Sequence, residues 1–199
     1  MVDEKTRPSD RRGDPVALAD AMPRILIAEE RSDALAADWV MRIGLAVEAG
    51  HPRFPRYAFA RTIREGLFEA RRARRVVRGL EGVESALETE EAGLSRAAAT
   101  RPDPVRSRIS RLLIVASDGS PRFYRSVERL RDRFETRLEV LTLECDETAL
   151  GEAVFGGGRR ARALMIDHKD AVSRFLTIIC DDLEEGLEEP RDPNGKGGS

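Results

Sequence analysis

Apolar positions are scattered until Arg24–Ala28, where the run RILIA predicts a short strand; residues 1–22 before it are polar and predict a disordered arm. Residues 33–46 (DALAADWVMRIGLA) read as a helix. Two prolines in HPRFPR (51–56) forbid a helix and predict extended chain. From Ala58 to Arg78, Phe59, Ile63, Leu67, Ala70 and Ala73 recur at steps of three and four, which predicts an amphipathic helix with an arginine-rich outer face. A second helix starts near Leu80, with Leu80, Val83 and Leu87 on one face. Residues 88–110 have no sustained apolar face and read as an insert.

Beyond the insert the pattern sharpens. Leu112–Ala116 is continuously apolar, as in a strand covered on both faces. Phe123, Val127, Leu130 and Phe134 follow at helical spacing, then a strand at 138–143, a short helix at 147–154 with Asp146 as its cap, a glycine loop, a strand at 163–166 and a helix at 170–179. The chain after Asp181 is acidic, then rich in proline and glycine, and predicts a flexible tail. Alternating helices and strands from residue 58 to about 180 imply a three-layer α/β/α sandwich, and residues 23–57 a small N-terminal α/β appendage. Its core is expected to hold Leu113, Ile114, Val115, Phe123, Val127, Leu141, Leu164 and Ile166.

Composition narrows the function. The 199 residues carry 34 basic and 36 acidic side chains, a net charge of −2, so total charge does not call for a polyanionic partner. The distribution is uneven: nearly all the basic residues are arginine, and acids crowd 181–189. Two cysteines make neither a disulfide framework nor a zinc site, and two histidines leave few soft ligands for a transition metal. No apolar run approaches a membrane span, and the polar start is unlike a secretory signal, so a cytoplasmic protein with no cofactor is expected.

Three segments offer chemistry. Ser117-Asp118-Gly119-Ser120-Pro121 follows a buried strand; Ser120 and Pro121 have the form of a helix cap with proline in the first turn, while Asp118 is a candidate base or metal ligand. No His, Lys or second carboxylate stands at a spacing that completes a catalytic set, so no enzyme is expected. Gly156-Gly157-Gly158-Arg159-Arg160 allows close backbone approach and supplies charge, but lacks the Gly-Lys-Ser/Thr of a phosphate-binding P-loop. Arg78-Gly79-Leu80-Glu81-Gly82 opens a helix whose start can receive a phosphate.

In order, VVRGLEGVESAL (76–87), LIVASDGSP (113–121), ETALGEAV (147–154) and ARALMIDH (161–168) resemble the ribosomal L-seven-Ae/L-thirty-e superfamily of kink-turn RNA-binding proteins, and within it the bacterial YlxQ-like members. The resemblance implies an α/β/α sandwich whose RNA surface joins the first glycine-containing helix start to the loop before the last strand. Carried over, that surface comprises Arg78, Gly79, Glu81 and Gly82, with Phe155, Gly156, Gly157, Gly158, Arg159 and Arg160 opposite. It implies RNA, structured or ribosome-associated, as the partner. The family usually carries Asn-Glu after the glycine; here Glu81 takes the asparagine position, replacing an amide that donates to base edges. Arg71 to Arg75 would extend the contact, and the acidic tail would compete with RNA, so deleting 181–199 should tighten binding.

Residues 24–66 bear a fainter likeness to YlxR-like domains, in RILIAEER (24–31) and PRFPRYAF (52–59). VASDGSP also resembles the strand end of universal-stress-type nucleotide-binding proteins, although their later Gly-x-x-Gly phosphate loop has no counterpart here. A protein-interaction module that has lost RNA binding is the third reading.

Overall fold

The structure, a computed structural model, describes residues 13–98 and 107–188. Within them β1 (Arg56–Ala58), β2 (Val76–Arg78), β3 (Arg111–Ala116), β4 (Leu138–Glu144) and β5 (Ala163–Ile166) form one mixed sheet in the order β1-β4-β3-β5-β2. β4 runs parallel to β1 and β3, and β5 runs antiparallel to β3 and β2. The helices are α1 (Pro15–Ala21), α2 (Arg24–Ala28), α3 (Ser32–Glu48), α4 (Arg61–Arg72), α5 (Leu80–Ala98), α6 (Pro121–Arg133), α7 (Glu147–Phe155) and α8 (Lys169–Glu188).

Alternation along the strands builds two apolar layers. Leu112, Ile114, Leu141, Leu143, Leu164 and Ile166 face the helices α1 to α4, α7 and α8. Leu113, Val115, Val140 and Met165 face α5 and α6. The α/β sandwich expected from the sequence therefore forms, with helices on both sheet faces. Of the expected core, Phe123 alone is only half-buried.

The N-terminal region differs from expectation. Arg24–Ala28 is helical, not a strand: only Leu26 is buried, while Ile25 and Ile27 stay exposed, so the run uses one helix face. A five-residue apolar run fits either state, and packing decided. Residues 15–21 are no disordered arm either, because Asp14 accepts the N–H groups of Val16 and Ala17 and caps α1 with Pro15 at its first position. Residues 1–12 of the expected arm lie outside the described residues. Leu18, Met22, Leu26, Leu35 and Trp39 join the same apolar layer as the sheet, and β1 completes the sheet's edge. The region is thus helical apart from β1 and continuous with the sandwich core.

Three further boundaries move. The helix expected through Arg78 stops at Arg72; Arg74 takes a left-handed φ of 57°, and the β-branched pair Val76-Val77 becomes β2. Residues 88–98 of the expected insert extend α5, where Glu90 holds Arg111 at 2.6 Å and Glu88 holds Arg133 at 2.8 Å. Residues 99–106 lie outside the described part. The acidic stretch through Glu188 continues α8 rather than starting a flexible tail. Arg31 reaches Asp181 at 2.5 Å and Glu184 at 3.0 Å, and Thr62 donates to Asp182 at 2.9 Å, so these acids hold the N-terminal helices and α4. A cut at 181 would remove structure; only 189–199 remain as a candidate tail, outside the described residues.

Candidate nucleic-acid interface

The register brings the three chemistry-bearing segments to one end of the sheet. Arg78 pairs with Leu164, Val115 with Ala163, and Ala116 with Leu143, so β2, β3 and β4 finish where β5 begins. Residues 78–82, 117–121 and 155–162 therefore share the rim at the carboxyl ends of the parallel strands, where open α/β sheets bind ligands.

The glycine loop is folded back onto α7. Gly156, Gly157 and Gly158 have φ of 63°, 63° and 70°, a hand that side chains resist. Gly158 N–H donates to the Glu152 carboxylate at 2.7 Å, and Ala161 N–H donates to the Glu147 carbonyl at 2.8 Å. Gly151 lets the loop lie this close, since a Cβ there would stand 1.9 Å from the Arg159 carbonyl oxygen. Among the described residues the N–H groups of Gly157 and Arg160 find no acceptor, and Arg159 and Arg160 are exposed.

Facing this loop is the turn after β2. Gly79, at φ 77°, donates to the Ala163 carbonyl at 2.9 Å and starts α5. The Arg78 guanidinium donates to the carbonyl of Arg160, tying the two segments together. It also lies 5.6 Å from the Phe155 ring centre, with Arg71 of α4 at 5.7 Å from the same ring. Two guanidinium groups thus converge on one half-buried aromatic ring. Glu81 and Gly82 lie exposed in the first turn of α5, whose leading N–H groups lack intrahelical acceptors. Every residue assigned to the surface from the sequence lies in these two facing segments.

Charge on the rim is partly neutralised. Arg162 meets Glu147 at 2.8 Å and Asp118 at 3.5 Å, and Arg160 meets Glu147 at 3.6 Å. Arg71, Arg78 and Arg159 have no carboxylate partner among the described residues. Arg74 and Arg75 lie at the opposite end of β2 from Arg78, and Arg72 is paired with Glu69 at 3.1 Å. The arginine row therefore divides, and Arg71 is the member at this rim by its contact with Phe155.

The Ser-Asp-Gly-Ser-Pro segment is occupied by turn chemistry. Ser120 accepts the Phe123 N–H at 3.2 Å with Pro121 opening α6. Asp118 accepts the Glu147 N–H at 3.2 Å and faces Arg162, which cross-links the loop after β3 to α7. Beside it, burial first, then Asp146 and Asp118, push the Cys145 thiol up to about 12, so it stays protonated near neutrality. Among the described residues no group of His, Cys, Asp and Glu is arranged to hold a metal. The sequence named Arg71 within the row 71–75 but not its contact with Phe155, nor the Arg162–Glu147–Asp118 cross-link, both of which only the fold assembles.

No family and no curated protein matches this chain. Among solved structures it is similar to a protein of unknown function from Bacillus halodurans C, with 17% identity and a TM-score of 0.43, over 60% of this chain and 97% of that one.

Proposed function

We propose that the chain is an RNA-binding protein without catalytic activity, and that its RNA is structured or ribosome-associated. The observation that carries this reading is the joining of Arg78 to the Arg160 carbonyl across the rim. It makes one surface of two segments distant in sequence, with guanidinium groups at Arg71, Arg78 and Arg159 that have no carboxylate partner among the described residues and open N–H groups at Gly157 and Arg160. Guanidinium forks and backbone N–H groups suit phosphate oxygens, which fix register on RNA without reading sequence. The carboxylate of Glu81 repels phosphate and accepts where a base reader donates, so affinity rests on charge and falls with salt. An RNA partner of this kind fits a cytoplasmic location, and among the described residues no helix is long and apolar enough to cross a membrane.

The test is a titration of folded RNAs, a kink-turn included, against the wild type and Arg159→Ala/Arg160→Ala at low salt. Binding by the wild type and a loss of at least tenfold in the variant are expected. Equal affinities, or no binding by the wild type, would leave a protein-interaction module in its place. Tightly bound nucleotide in the purified chain that is lost on Asp118→Ala would favour the universal-stress-type reading.

A further inference from the structure

The opposite end of the sheet, where β3 begins and β5 ends, carries a second concentration of unpaired positive charge. A cleft of about 680 Å³ opens there, a volume suited to a small ligand. Arg24, Arg108, Lys169 and Arg174 line it, contributed by α2, the entry to β3 and the first turns of α8. None of the four has a carboxylate partner among the described residues. The one acid in the lining, Asp170, lies 3.7 Å from His168.

Arg108 is the most informative member. One terminal nitrogen donates to the Met22 carbonyl at 3.1 Å, which fixes the side chain. Its Nε is buried without any hydrogen-bond partner. A buried donor left unmade costs more than an exposed one, so the Arg108 guanidinium is held at the cleft with its hydrogen-bonding capacity only partly used. Pro23 and Ile25 supply an apolar wall beside the charges.

We infer that this cleft binds a small molecule carrying two or more phosphate groups, at a site separate from the RNA rim. Four cations against one carboxylate match a multiply charged anion better than a single carboxylate or orthophosphate, and arginine forks take phosphate oxygens in pairs. The inference does not depend on the RNA reading.

Calorimetric titration of the full chain with inorganic pyrophosphate tests it, using Lys169→Gln/Arg174→Gln, two exposed positions whose change leaves the core intact. The expected result is one site in the wild type, at least tenfold weaker in this variant, and unchanged in Arg159→Ala/Arg160→Ala. Matching thermal midpoints for variant and wild type without ligand would establish that folding is preserved; if they differ, Arg174→Gln alone carries the same expectation. No heat with pyrophosphate, equal binding by both proteins, or equally tight binding of orthophosphate or citrate would overturn the assignment. So would a loss of RNA affinity in Lys169→Gln/Arg174→Gln, which would make the cleft part of the RNA surface.

Discussion

A side chain at position 151 has nowhere to go, because a Cβ would meet the Arg159 carbonyl oxygen at 1.9 Å and the Ala161 nitrogen at 2.7 Å. Gly151→Ala should therefore cost about 1–3 kcal/mol in urea unfolding, the usual range for overpacking, and weaken RNA binding by displacing Arg159 and Arg160. At Gly157 a Cβ meets nothing within 4 Å, but φ is 63°. There the cost of Gly157→Ala is about 1–2 kcal/mol, from backbone conformation alone. Arg131 and Glu139 form a buried two-bond ion pair, with nitrogen–oxygen distances of 2.9 and 3.3 Å. Arg131→Ala leaves the Glu139 carboxylate buried beside a lost partner and should cost about 3–5 kcal/mol by the same measurement. The double change Arg131→Met/Glu139→Leu should recover most of that loss, since it strands no charge.

Among the elements, α8 links packing to pH. Burial, first among its causes, raises the Cys180 thiol to about 11, and Cys145 after β4 stands at about 12, both from an ordinary 9.0. The folded chain keeps these protons where the unfolded chain gives them up, so their stability is complete below pH 9 and is lost as pH climbs through 11 to 12. Burial also raises the hydroxyls of Tyr57 and Tyr124, which adds to the loss above pH 10. Urea midpoints should be level from pH 7 to 8.5 and fall from about pH 9, and Cys145→Ala/Cys180→Ala should delay the onset toward pH 10. The elements legible in the sequence were those marked twice over: β3 by an unbroken apolar run before a Ser-Pro cap, α7 by Asp146 and its own periodicity. α2, β1 and β2 were not: these runs of three to five residues carried no cap or other second mark, and their state came from their neighbours. The far half of α5 was hidden for another reason: ion pairs from Glu88 and Glu90, rather than an apolar face, hold it. At the rim, the two facing segments could be named from their order in the sequence, whereas Arg71 against Phe155 required the packing of α4 beside α7.

At the scale of the molecule, the antiparallel β5 between β3 and β2 gives the sandwich two chemically distinct ends. One gathers Arg78, Phe155 and the glycine loop; the other gathers the cationic cleft at the start of α8. On the proposed function, RNA phosphates meet the first end through charge, with little base reading because of Glu81. The most direct measurement is the slope of log affinity against log salt for one folded RNA, with the wild type and with Arg78→Ala/Arg159→Ala/Arg160→Ala. Each phosphate contact removed should lower the slope by about one unit, so the triple variant should be shallower by about two to three and weaker across RNAs of different sequence. Identical slopes and affinities for the two proteins would contradict the central claim.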